Sequence, residues 1–287
     1  MVVDLVHVMT RDGVHLDGML QMPSAAGKAW AVDGVCCVHG TGGNFYASTL
    51  FDAIATRCLE RGVAVLRVNT RGHDGISNAV TSKGGRRLGA AYEFVDDCRH
   101  DLAAWIDFSN ERAGPRVALV GHSLGAVKSL YALAHESALP VARVVGISPP
   151  RLSYSWFCES PEGPRFLETY QKADALVEAG QPTELLDVTL PLPFVITAAG
   201  YVEKYGPDER YNYLRFLNGV RVPTLITLGA IEAANNMAFR GAAEAMAQSR
   251  HRALTVSTIA DADHFYSKAR EALIDAIDRW FTANRAA

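Results

Sequence analysis

A chain of 287 residues that is 49% apolar and 21% charged can bury a large core and lies far from disordered or collagen-like compositions. Its 28 basic and 31 acidic residues leave a formal charge of −3, which gives no electrostatic footprint for nucleic acid or for an anionic membrane. Length alone permits either one large α/β domain or two domains.

The first 22 residues alternate weakly around Arg11-Asp12-Gly13, and Asp-Gly is a hairpin signal, so two antiparallel strands are expected to open the fold. Residues Met1 to Met9 lack the basic and apolar regions of a signal peptide, and no apolar run reaches the roughly 18 residues of a membrane span, so a cytoplasmic location is expected. Pro23 to Lys28 reads as a small-residue loop. Short, continuous, β-branched runs follow at Gly34 to Val38, Val63 to Val68, Val117 to Val120, Val144 to Ile147, Thr224 to Leu228 and Leu254 to Ile259. Runs of this kind suit strands buried on both faces of a parallel sheet.

Helix-length segments separate these runs. Phe94, Cys98, Leu102, Trp105 and Ile106 share one helical face, as do Tyr266, Ala269, Leu273, Ile277 and Trp280. Alternation of strand and helix predicts a mostly parallel, twisted α/β sheet with helices on both faces. Residues 149–220 break the rhythm. This Pro- and aromatic-rich stretch, with helical patterns near Pro164 to Glu178 and Pro207 to Asn218, is too long for an ordinary connection and is expected to be an inserted cap. The catalytic core is then 1–148 and 221–287. Cys36, Cys37, Cys58, Cys98 and Cys158 show neither metal-ligand spacing nor the density of a disulfide scaffold and are expected to be reduced packing residues.

The sharpest motif is Gly121-His122-Ser123-Leu124-Gly125, which directly follows the third run and directly precedes the helical pattern Leu124, Val127, Leu130, Tyr131, Ala134. A nucleophile at a strand-to-helix elbow needs small flanking residues, because its backbone is strained and neighbouring elements pass close by. An oxyanion hole needs two backbone N–H donors; the expected pair is Leu124, after the nucleophile, and Thr41 in His39-Gly40-Thr41-Gly42-Gly43-Asn44, with Gly42 as the nearby alternative. That glycine loop does not fit G-x-G-x-x-G, so a dinucleotide site is not expected.

A serine needs a histidine base and an acid to orient it. His264, in Asp261-Ala262-Asp263-His264-Phe265, follows the last strand and is the expected base; His39 and His122 are expected to be structural. Glu232, at the exit of the fifth run, is the favoured acid, with Asp261 and Asp263 as alternatives beside the histidine. The order Ser123, Glu232, His264 matches one of the three unrelated solutions to the triad.

With His39-Gly40 and its glycine tail, Asn69-Thr70-Arg71-Gly72-His73, the Ser123 elbow, Gly229-x-x-Glu232 and Asp263-His264-Phe265 in place, the chain resembles the α/β-hydrolase superfamily over essentially its whole length. Glu in place of the commoner Asp is a permitted departure. Tyr205-Gly206-Pro207-Asp208-Glu209-Arg210-Tyr211 is more weakly similar to the cap of hydrolases related to siderophore esterases. The resemblance implies a serine hydrolase that cleaves a carboxylic ester of a medium-sized small-molecule substrate through an acyl-enzyme on Ser123, without metal or organic cofactor. Acyl transfer or thioester hydrolysis is the related alternative, and a non-catalytic ligand-binding protein on the same fold is the alternative of another class. For substrate contacts the candidates are Arg71 and His73 in the long basic loop, with Lys83, Arg86 and Arg87 nearby, and Tyr154, Trp156 and Tyr201 among the cap aromatics.

Overall fold

The computed structural model describes residues 3–24 and 29–284; the first two residues and four of the loop expected over 23–28 lie outside these. Eight strands form the main sheet: β1 (Asp4–Met9), β2 (His15–Gln21), β3 (Gly34–Val38), β4 (Ala64–Val68), β5 (Val117–His122), β6 (Val141–Ile147), β7 (Thr224–Gly229) and β8 (Leu254–Ile259). Their spatial order is β1-β2-β4-β3-β5-β6-β7-β8. The β1–β2 and β2–β4 pairs are antiparallel, and every later pair is parallel. The Asp12-Gly13 turn closes the first hairpin, with Gly13 at φ +85 and the Thr10 N–H donating to the Val14 carbonyl at 2.9 Å.

Burial follows position in the sheet. Every residue of β3, β4, β5 and β7 is buried, as continuous apolar runs require. The sixth run, read as buried on both faces, is instead the sheet edge: among the described residues β8 pairs only with β7, and it keeps most of its residues half-buried or exposed. Two apolar clusters cover the faces. One holds Phe51, Ile54 and Cys58 of α1 (Thr49–Glu60) with Leu273, Ile277 and Phe281 of α10 (Arg270–Ala283). The other holds Leu102 and Trp105 of α2 (Cys98–Ala113) with Val127 and Leu130 of α3 (Leu124–His135). Phe94 and Tyr266, expected on helical faces, precede their helices by a few residues; Phe94 flanks a 3-10 turn.

Between β6 and β7 the chain forms α4 (Tyr154–Cys158), α5 (Gly163–Glu178), a hairpin of Leu185–Val188 with Phe194–Thr197, α6 (Ala198–Tyr205) and α7 (Tyr213–Phe216). The α5 helix matches its sequence pattern. The helix expected over 207–218 shrinks to α7 and a 3-10 turn, because Asn212 accepts from the Leu214 N–H and starts the helix there. Phe157, Phe166, Tyr201 and Tyr205 interlock in this segment and are continuous with the core on the α2–α3 face. The stretch after β4, read as one long loop, contains a second exposed hairpin, Ser77–Thr81 with Gly84–Leu88. The helices α8 (Ala230–Asn235) and α9 (Ala242–Ala247) lie between β7 and β8. No helix among the described residues is long and apolar enough to cross a membrane.

Candidate active site

The elbow is built by close approach. Strand β5 ends at His122, Ser123 adopts φ 57 and ψ −127, and α3 begins at Leu124. A Cβ on Gly121 would lie 2.3 Å from the Gly125 carbonyl oxygen, and one on Gly125 would lie 2.1 Å from that of Val38. Only glycine fits either place, and the turn is held by the Ser123 N–H donating to the Ile147 carbonyl at 2.8 Å. The serine hydroxyl does not cap α3. It points instead to His264, on the loop after β8, with Oγ to Nε2 at 3.0 Å.

The other imidazole nitrogen of His264, Nδ1, donates to Glu232 Oε2 at 2.7 Å. Glu232 sits in the first turn of α8 and is 5% exposed, so its carboxylate needs partners. Its Oε1 accepts from the Gly229 N–H at 2.7 Å and from the Ser148 hydroxyl, which also meets the Tyr266 hydroxyl at 2.9 Å. Asp263 turns away, accepting from the Phe265 and Ser267 N–H groups at 3.0 and 2.9 Å, and Asp261 is exposed. The geometry therefore brings Ser123, His264 and Glu232 together and leaves the neighbouring aspartates out. His122 donates from Nε2 to the His264 carbonyl at 2.8 Å and so steadies that loop; burial, aided by the nearby His264, lowers its pKa to about 3 and keeps it neutral.

The glycine loop after β3 is held from beneath. Gly40 passes so near the elbow that a Cβ there would lie 2.8 Å from Ser123 Cβ. His39 donates from Nδ1 to the Gly40 carbonyl at 2.8 Å, and the Gly43 N–H donates to the same oxygen at 3.1 Å. In a trans peptide the carbonyl and the next N–H point in opposite directions, so fixing Gly40 O also fixes the Thr41 N–H. Thr41 lines the cleft, and neither its N–H nor that of Leu124 has an acceptor among the described residues.

His39 is itself oriented by a buried polar chain. Its Nε2 accepts from the Thr70 N–H at 3.0 Å, and the Thr70 hydroxyl lies 3.2 Å from the same nitrogen. Lys128 of α3 donates to that hydroxyl at 3.0 Å and forms a close ion pair with Glu93. Lys204 of α6 lies 4.0 Å from the other Glu93 oxygen. Burial works to raise the Glu93 pKa, but Lys128 and Lys204 outweigh it and hold the carboxyl below its ordinary value. Burial, with Lys128 nearby, lowers the His39 pKa to about 3.

The sequence candidates for substrate contact are placed elsewhere. Arg71 is 1% exposed and pairs with Asp12, Asp97 and Asp101, with Nη2 to Asp101 Oδ1 at 2.7 Å. His73 donates to Asp74 at 2.8 Å, and Asp74 in turn accepts from Asn44 in the glycine loop at 2.7 Å. The Asn69-to-His73 motif thus braces the neighbouring loop. Tyr154 and Tyr201 pack within the aromatic core of the inserted segment, with the Tyr201 hydroxyl donating to the Leu190 carbonyl at 2.9 Å. The Trp156 indole donates to the Met237 carbonyl at 2.8 Å, with Arg151 over its face. Lys83, Arg86 and Arg87 lie on the exposed hairpin.

Ser123 opens instead into a cleft of 930 Å³ lined by the glycine loop, Thr49 and Phe51 of α1, residues 192–195 of the inserted segment, Phe239, Phe265 and Arg270. Residues 192–195, at the start of the Phe194–Thr197 strand, together with Phe239, Arg270 and the supporting Ser148, carry no motif in the sequence that marks them. No group of three or more candidate metal ligands occurs among the described residues.

This strand order, with the Ser123 elbow at the end of β5 and the His264 loop after β8, defines the α/β-hydrolase fold. The chain belongs to the alpha/beta hydrolase family, whose profile matches residues 37–276. Similar solved structures include Est1E from Butyrivibrio proteoclasticus with bound ferulic acid, at 17% identity and TM-score 0.67 over 98% of this chain and 99% of that one. The alpha/beta hydrolase GrgF from Penicillium sp. sh18 aligns over 100% of both chains at 16% identity and TM-score 0.71. The esterase domain of a Rhodothermus marinus protein aligns over 99% of both at 19% identity and TM-score 0.62. No curated protein matches the chain significantly.

Proposed function

We propose that the protein is a serine hydrolase that cleaves carboxylic esters through an acyl-enzyme on Ser123. The observation that carries this reading is the continuous array from Ser123 Oγ to His264 at 3.0 Å and from His264 to Glu232 at 2.7 Å, opening into a cleft. The esterases among its structural neighbours agree with it.

In this mechanism Ser123 Oγ attacks the acyl carbon while its proton passes to His264 Nε2. Glu232 accepts from Nδ1 throughout, which holds the reactive tautomer and stabilises the imidazolium. The Thr41 and Leu124 N–H groups receive the oxyanion, a contribution worth about 10²–10³ in rate per donor. His264 then returns the proton to the leaving alcohol. A water, deprotonated by the same imidazole, attacks the acyl-enzyme and releases the acid and free Ser123. Residues 149–220 act as a cap, with residues 192–195 forming part of the wall of the cleft.

Ser123→Ala tests the reading directly. Turnover of short p-nitrophenyl esters is expected to fall to the background rate while the circular dichroism spectrum stays that of the parent. Undiminished turnover would remove Ser123 from the mechanism.

A further inference from the structure

The cleft above Ser123 has a charge pattern that the ester reaction itself does not explain. Among the described residues its lining holds no aspartate and no glutamate, and apart from three histidines the one ionisable side chain there is Arg270. This guanidinium donates from Nη1 to Thr49 Oγ1 at 3.1 Å and from Nη2 to the Phe265 carbonyl at 3.3 Å. Its Nε is buried and has no acceptor among the described residues. Both acceptors are neutral, and no carboxylate pairs with it among the described residues.

Arg270 is also badly placed for helix stability. It is the first residue of α10, at the positive end of the helix dipole, where an acidic residue is favoured and a cation is not. The start of α1, whose Thr49 receives the Arg270 hydrogen bond, brings a second positive helix end to the same side of the cleft. The lining also carries the apolar side chains of Phe51, Ile76, Val195 and Phe265, with the neutral polar Ser48 and Thr49 at the start of α1. An uncompensated cation beside an apolar channel raises the local concentration of anions and gives a carboxylate a charge-assisted partner.

We propose that one arm of the substrate ends in a carboxylate that binds Arg270, so that the preferred substrates are carboxylate-bearing esters. This rests on the ester-hydrolase reading above. Two sources of the charge are chemically equivalent at Arg270: an acyl arm, as in a monoester of a dicarboxylic acid, or an alcohol arm, as in an ester of a hydroxy acid.

Two matched pairs separate them: monomethyl suberate against methyl octanoate for the acyl arm, and 4-carboxyphenyl butyrate against phenyl butyrate for the alcohol arm. The anionic member of one pair is expected to have a kcat/KM higher by about tenfold or more, the effect of one charge-assisted hydrogen bond. Arg270→Gln is expected to bring that ratio to about one, and Arg270→Lys to retain part of it. Independently of any variant, raising the ionic strength is expected to shrink the ratio in the parent protein, because the site lies at the rim of the cleft. Turnover of both members of each pair at equal kcat/KM, or a preference that survives Arg270→Gln, overturns the assignment and leaves the esterase reading standing. Failure to hydrolyse any of the four esters while short p-nitrophenyl esters are turned over overturns the carboxylate assignment alone; failure on the p-nitrophenyl esters as well overturns both.

Discussion

Replacing Lys128 by methionine removes one charge from a buried pair and keeps the bulk of the side-chain stem. Lys128 is wholly buried, Glu93 is 2% exposed, and the remaining cation, Lys204, stands 4.0 Å from the far carboxylate oxygen. Leaving a buried charge without its close partner costs about 3–5 kcal/mol. With an unfolding entropy of about 2.1 cal/mol/K per residue, a chain of 287 residues loses roughly 1.7 °C of Tm per kcal/mol, so the variant is expected to melt about 5–8 °C lower. Calorimetry of the parent, Lys128→Met, Glu93→Gln and the double variant measures this. The double variant is expected to be less destabilised than the sum of the singles, since its two changes remove the same pair. A Tm drop below about 2 °C for Lys128→Met, or strict additivity, would refute the reasoning that the pair is a coupled, desolvated unit.

Glu232→Gln leaves His264 without the anion that fixes its tautomer, and kcat is expected to fall by about 10³–10⁴ with KM little changed, read from steady-state ester hydrolysis. Stability should also fall as the medium is acidified from pH 7 to pH 5. His39 and His122 have folded-state pKa values of about 3, below the ordinary 6.5, so the unfolded chain binds protons that the folded one excludes. Their contribution is complete above about pH 6.5 and is lost toward pH 3, at about 1.4 kcal/mol per pH unit for each residue. His251, also lowered by burial, acts in the same direction, while the depressed carboxylates Asp74 and Asp278 keep their contribution until their ordinary value of 3.8 is approached. Thermal melts across this range check the slope, and His122→Gln should flatten it; a Tm that is independent of pH from 7 to 5 contradicts the assignment.

What the sequence made legible was short-range and backbone-dominated. Gly121-x-Ser123-x-Gly125 announces itself because two backbones must pass within van der Waals reach of the turn, a demand that only glycine meets. The continuous runs at β3, β5 and β7 reveal central strands because both of their faces are buried. Long-range polarity was not legible. Arg71 reads in sequence as a loop cation free to meet a substrate, yet Asp101, from a helix 30 residues on, claims it. Tyr154 and Tyr201 read as pocket aromatics, yet they pack into the apolar cluster that joins residues 149–220 to the α2–α3 face of the sheet. The exposed hairpin at 77–88 has no apolar alternation, so nothing marked it as strand. Glu232 is favoured over Asp261 and Asp263 because residues so close in sequence to His264 seldom reach its Nδ1, and the side-chain directions agree with that choice.

The central claim is that Ser123 is a nucleophile activated by His264 and Glu232. Incubation with a fluorophosphonate, followed by intact mass and peptide mapping, tests it most directly. The account predicts a single adduct on Ser123 in the parent protein, none in Ser123→Ala, and much slower labelling in His264→Ala. An adduct on another residue, or esterase activity that persists without any adduct, would contradict it.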